Sequence, residues 1–198
     1  MKNKEKNAVI CCCSVLLNEV DTLRLTCWPD WKLHHLTSML HMRPTVLSQT
    51  LNEYLQVEKG NRVVLVYGDC CPDMEQIEHM PGVARTMGVN CCELLLGKEV
   101  YKSLIREGVF FLLPEWTWRW EDVFTRELGL SPENARAFMQ EMHKKFVYLD
   151  TGIVLVPYGH IRDISHYCGL PYEILPISGN HLQAQIQDAM NRLAGDVS

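Results

Sequence analysis

The chain has 198 residues, 47% of them hydrophobic and 22% charged, enough apolar material to bury a core without cross-links. Its formal net charge of -5 argues against nucleic acid as the main partner, because phosphate binding is driven by clustered Lys and Arg. No apolar stretch approaches the ~20 residues that span a bilayer, so no membrane segment is expected.

The only basic concentration is Lys2, Lys4 and Lys6, which reads as a flexible basic start over residues 1–6, ahead of a single α/β domain over residues 7–195. The apolar run Ala8 to Leu17 has the outline of a signal-peptide core. It carries three cysteines, however, and Asn18-Glu19 follows it rather than a small-residue cleavage site. It is better read as a first strand and the start of a helix. The chain is then expected to be cytoplasmic, where thiols stay reduced and an excess of cysteine points to metal or catalysis rather than disulfides.

Asn7 to Cys13 is a continuous apolar run of the kind buried on both faces of a parallel sheet. Ser14 is placed to cap a helix running through Leu16, Leu17 and Val20 towards Leu25. Trp28-Pro29-Asp30 marks a turn, and Leu33, Leu36 and Leu40 line a short helix or strand. Pro44 suits the first turn of a helix whose apolar face is Val46, Leu47, Leu51, Tyr54 and Leu55, with Lys59-Gly60 closing it. Arg62 to Tyr67 is the clearest strand. A helical stretch should follow Pro72, then a very short strand at Val89 to Cys92. A helix is expected over Glu93 to Glu107, buried along Leu94, Leu95, Val100, Tyr101, Leu104 and Ile105. Val109 to Leu113 is another strand. Helices are expected from Trp116 to Leu128 and after the cap Ser131, with Pro132 at the first helical position. Phe146 to Leu149 is a strand with Asp150-Thr151-Gly152 as its exit turn. A helix, a strand at Tyr172 to Ile177 and a helix from His181 to Leu193 complete the chain. Strands alternating with helices predict one mostly parallel sheet with helices on both faces, a Rossmann-like three-layer α/β fold.

Several familiar signatures fail. The first strand lacks a G-x-G-x-x-G, so the dinucleotide fingerprint is absent. Gly97-Lys98 is followed by Glu99 and forms no phosphate loop. Asp150-Thr151-Gly152 occurs once, whereas aspartic-protease chemistry needs two carboxylates sharing a proton. Neither G-x-S-x-G nor H-E-x-x-H is present. On a helix Trp116 and Trp120 would share a face and Trp118 would not, which fits core packing better than a stacking platform.

What remains is cysteine. Seven of the nine cysteines fall in three clusters, Cys11-Cys12-Cys13, Cys70-Cys71 and Cys91-Cys92, each where an apolar run gives way to a turn or helix. Ligands of open parallel sheets bind just beyond the carboxyl ends of the strands. Neighbouring strand residues point to opposite faces, so one member of each cluster serves such a site and the other packs as a small apolar side chain. Three thiols meeting there can hold iron–sulfur, hold zinc or do redox chemistry.

The chain resembles an uncharacterised family, domain of unknown function 1638. The resemblance is carried by Cys13-Ser14-Val15-Leu16 with Glu19, Leu40-His41-Met42-Arg43-Pro44, Tyr67-Gly68-Asp69-Cys70, Cys91 with Leu94-Leu95-Leu96-Gly97, Leu113-Pro114-Glu115-Trp116 and Tyr148-Leu149-Asp150-Thr151-Gly152. The family pattern has one cysteine per cluster, and these fall on Cys13, Cys70 and Cys91. Ser14, Cys71-Pro72 and Val89-Asn90 depart from it, the last standing where the family has a His-Asp pair.

The resemblance picks out Cys13, Cys70 and Cys91, and three such thiolates would hold a [4Fe-4S] cluster with one iron left open, or zinc. His41 is the best candidate for a fourth ligand, and Arg43 for holding an anionic ligand. Asp150 is expected to orient a ligand or cap its own turn. Glu19 is an outer partner of the thiols or a surface charge. Family members look like companions of corrinoid-dependent methyltransferases. The expected setting is therefore corrinoid-linked methyl or one-carbon metabolism, with a corrinoid protein or methyltransferase as partner and corrinoid contact in view. A zinc-thiolate methyltransferase, a thiol redox protein and a non-enzymatic accessory or assembly protein stay open as alternatives. Oligomeric state is not legible.

Overall fold

The structure, a computed structural model, describes residues 7–195; the expected flexible start at residues 1–6 lies outside the described residues. In chain order the strands are β1 (Ala8–Cys13), β2 (Lys32–Leu36), β3 (Arg62–Val66), β4 (Val83–Arg85), β5 (Val109–Leu112), β6 (Lys145–Asp150) and β7 (Tyr172–Pro176). The helices are α1 (Leu17–Cys27), α2 (Pro44–Val57), α3 (Met74–Glu78), α4 (Cys91–Leu96), α5 (Lys98–Arg106), α6 (Pro114–Trp118), α7 (Ala135–Met142), α8 (Tyr158–Cys168) and α9 (Asn180–Gly195). The fold is α/β, and the strands pair in parallel. They form two sheets, though, where the sequence suggested one. Apolar runs mark strands but do not say which strands share hydrogen bonds. By contact the chain falls into two compact units, one holding residues up to Leu94 with those from Gly179 onward, the other Leu95–Ser178.

The first unit holds the sheet β2-β1-β3-β4. β1 lies between β2 and β3, and all six of its residues are buried, as its unbroken apolar sequence requires. The chain steps from β1 to β2 in one direction and from β2 back to β3 in the other. Right-handed crossovers therefore put α1 and α2 on opposite faces. The contacts agree. Trp28, just past α1, donates its indole N–H to Gln187 of α9 at 2.9 Å, and Gln183 of α9 donates to the Cys27 sulfur at 3.4 Å. On the other face Ser48 of α2 donates to the Asp73 carboxylate at the head of α3. The crossover from β1 leaves to one side and that from β3 to the other. Such a reversal opens a crevice at the carboxyl ends of β1 and β3.

Several local details depart from the sequence reading. Ser14 does not cap α1; it lies in a 3-10 turn, and its hydroxyl accepts the backbone N–H of Ser38 at 2.8 Å. Val89 to Cys92 is no strand. The strand is Val83–Arg85, too short to show periodicity, and Asn90 caps α4 through its side-chain oxygen to the Glu93 N–H at 3.0 Å. The helix expected over Glu93 to Glu107 breaks at Gly97, where φ is +78°, a value suited to glycine. α5 then buries no residue completely, and Val100 and Ile105 are exposed rather than part of an inner stripe. Val46 is exposed on α2 as well.

The second unit is built on the sheet β5-β6-β7. Phe110 and Phe146 meet edge to face at 5.7 Å between ring centres, and Trp120 packs against Phe124 and Tyr167 over the same core. Trp118 is exposed, as its position opposite Trp116 and Trp120 predicts. The helix expected over Trp116 to Leu128 is broken into α6 and a π-helical turn at Asp122–Glu127. α7 begins at Ala135, so Pro132 lies in a preceding turn rather than at a helical first position.

Candidate metal centre

All three cysteine clusters fall in the first unit, at or beyond the carboxyl ends of the adjacent strands β1, β3 and β4. Cys13 ends β1. Cys70 lies in the loop after β3, and Cys91 opens α4 after the loop that leaves β4. What draws the last two loops together is Gly68. A Cβ built there would stand 2.5 Å from the Cα and N of Asn90, so only glycine lets the two backbones meet. The Asp69 N–H then bonds the Val89 carbonyl at 3.0 Å. Asp69 also pairs with the buried Arg85 at 3.0 Å, and Arg85 holds Glu78 at 2.5 Å. The loop bearing Cys70 is thereby tied to β4 and to the approach to Cys91.

The thiols act on one another. Cys13 and Cys91 share a side-chain hydrogen bond. That bond, with burial and the neighbouring thiols of Cys13, Cys70 and Cys92, pushes the Cys91 thiol well above its ordinary range. Cys70 is pushed up to about 11, by burial first and by Cys13 next; a hydrogen bond with the Gly68 backbone and the charge of Arg85 pull the other way. Cys70 and Cys91 thus resist ionising while their neighbours would be ionised too, and they become stable as thiolates only beside a compensating cation.

The other members of the clusters have further neighbours of their own. Cys11 is pushed up by burial, then by Cys13 and Glu58, and it also acts on Tyr54 of α2. Cys12, one residue on, points to the α1 side, where Glu19 and Asp21 act on it. This is the alternation that a strand imposes. Cys71 is bonded by the Ser48 side chain and the Asp73 backbone, and burial is the largest influence raising it. Cys92 is raised to about 12 by burial.

His41 is exposed in the 3-10 turn Ser38–Met42, whose first residue is bonded to Ser14, and desolvation lowers its imidazole pKa. Arg43 is exposed and precedes α2, its carbonyl accepting the Leu47 N–H at 3.0 Å. The groups that act on Cys70 and Cys91 are cysteines, the Gly68 backbone and Arg85. Glu19 is buried and belongs to the Cys12 side. Asp150 lies in the second unit and accepts the Gly152 N–H at 2.9 Å, capping its own turn. Among the described residues no group of three or more His, Cys, Asp or Glu already stands in metal-holding geometry.

Two residues beside the thiols escaped the sequence reading. Arg85 is a buried arginine in a strand too short to be noticed. Tyr67 was counted as one more apolar strand residue, yet its hydroxyl is buried and has no hydrogen-bond partner among the described residues.

Fold and site together define an α/β protein with a buried thiol group at the reversal point of a parallel sheet. The chain belongs to the family described as Protein of unknown function (DUF1638), whose model matches residues 35–186. The match takes in His41, Arg43, Cys70, Cys91 and Asp150, and Cys13 lies ahead of it. A comparison with curated proteins gives no match. Among the described residues no helix is long and apolar enough to cross a membrane.

Proposed function

We propose that Cys13, Cys70 and Cys91 bind an iron–sulfur cluster, [4Fe-4S] in the first instance, or another thiophilic metal such as zinc. The observation that carries this reading is the hydrogen bond between Cys13 and Cys91, with Cys70 acting on both members of the pair from the facing loop. The donor chemistry fits: three sulfurs and no competing carboxylate among the groups that shift Cys70 and Cys91. A buried hydroxyl without a partner beside them fits a pocket that receives something. Loading would bring Cys70 to the Cys13–Cys91 pair, with loss of the thiol protons. A bound cluster or metal would supply an electrophilic open position. His41 is the candidate to fill it, and Arg43 the candidate to hold an anionic ligand. The corrinoid-linked methyl or one-carbon setting, with a corrinoid protein or methyltransferase as partner, comes from the family resemblance. A cytoplasmic home, where thiols stay reduced, goes with this reading.

The bonded pair also favours a second reading. Cys13 and Cys91 would cycle between dithiol and disulfide, giving two protons and two electrons to a disulfide or peroxide oxidant. Anaerobic purification, metal and sulfide analysis and a visible spectrum separate the two. Iron and sulfide with a broad band near ~400 nm support the cluster, and colourless protein with stoichiometric zinc supports the zinc form. Metal-free protein that takes up no metal and loses two thiols to mild oxidant overturns metal binding in favour of redox.

A further inference from the structure

Tyr67 is held firmly at one end and left open at the other. Its carbonyl accepts from the Thr86 hydroxyl at 3.2 Å and from Arg85 at 3.4 Å. Its side chain is 2% exposed, yet the hydroxyl has no hydrogen-bond partner among the described residues. The register explains where that hydroxyl lies. Cys12 pairs with Val66, so Tyr67 runs alongside Cys13 and its side chain leaves the sheet on the same face. The next residue, Gly68, abuts Asn90, immediately before Cys91. Besides burial, the thiols that act on its phenol are Cys11, Cys13, Cys12 and Cys91, so the hydroxyl lies among the sulfurs of the site.

A buried hydroxyl left unpaired destabilises the fold, and phenylalanine would fill the same space without that penalty. Thiol sulfur is a weak acceptor, whereas a thiolate or sulfide is a strong one. We infer that the Tyr67 hydroxyl donates a hydrogen bond to a cysteine thiolate formed when the centre is loaded. This inference rests on the metal reading above. It assigns Tyr67 as a positioning residue that stabilises negative charge on the centre without ligating it. Hydrogen bonds to the sulfurs are among the features that set the potential of such centres.

The test compares the full chain with Tyr67→Phe in anaerobic cobalt(II) titrations at one fixed pH, following the thiolate-to-cobalt charge-transfer band. Urea unfolding of the metal-free proteins runs alongside. The variant is expected to be at least as stable without metal and to bind cobalt roughly tenfold or more weakly, with a displaced band. Equal affinity and an unmoved band would overturn the inference while leaving the metal reading in place. A metal-free variant less stable than wild type would also overturn it, since the hydroxyl would then have a structural partner. Wild-type protein that takes up no cobalt would overturn the metal reading, and the role of Tyr67 with it.

Discussion

Gly68 and Asn90 touch backbone to backbone, at a separation that leaves no room for a Cβ on Gly68. One loop carries Cys70 and the other leads into Cys91, so this contact sets the spacing of the two thiols. Gly68→Ala must push the loops apart against backbone, which cannot swing away as a side chain can. Overpacking of this kind costs about 1–3 kcal/mol. The variant is expected to melt lower and to lose most of its affinity for a thiophilic metal. Thermal unfolding and a cobalt titration on the same sample check both.

Arg85 bridges Asp69 and Glu78 from a buried position and draws the Cys70 thiol down. Replacing it with methionine keeps the bulk and removes the charge, leaving the half-buried Glu78 without its partner. A loss of about 1–3 kcal/mol is expected from a broken buried pair with one partly solvated member. Cys70 should also react more slowly with iodoacetamide at mildly alkaline pH, because its thiolate loses a neighbouring cation. Mass-spectrometric labelling rates at Cys70 report this directly, and Arg85→Lys is expected to restore part of the rate.

Much of this unit is legible in the amino-acid order, and the exceptions have physical causes. Arg62 to Val66 is unmistakable because a strand buried on both faces needs an unbroken apolar run. β4 is three residues long, too few to show a period, and so Arg85 went unseen. The shift of Cys91 from a strand to the first residue of a helix turns on Asn90, a good cap whose meaning depends on the chain already curving there. The break at Gly97 was hidden by an apolar pattern that continues through Leu104. That the cysteine clusters stand at or beyond the carboxyl ends of neighbouring strands follows from the alternation of strands and helices. Which member of each cluster turns towards Cys13 does not, because it depends on loop geometry and on partners such as Ser48. The unpaired hydroxyl of Tyr67 is equally invisible, since sequence gives a phenol but not its surroundings.

Burial raises the thiols of Cys70 and Cys168 to about 11 each, above the ordinary thiol value of 9.0. Between these values the unfolded chain releases protons that the folded chain keeps. The unfolded state then binds fewer protons, and stability falls as pH rises. The contribution is full below about pH 9 and lost by about pH 11. Urea midpoints of the metal-free protein are expected to drop between about pH 9 and about pH 11, and to drop less in Cys168→Ala. A midpoint that stays level over that range would show the thiols to be ionised in the fold.

The most direct measurement of the metal proposal is X-ray absorption at the edge of the bound metal, taken on wild type and on Cys13→Ser, Cys70→Ser, Cys91→Ser and Cys12→Ala. Wild type is expected to give a shell of sulfur scatterers at about 2.3 Å. That shell should shrink by one sulfur in each serine variant and stay unchanged in Cys12→Ala, whose side chain faces α1. A shell of nitrogen and oxygen alone, or a sulfur count indifferent to Cys13, Cys70 and Cys91, would contradict the three-thiol centre.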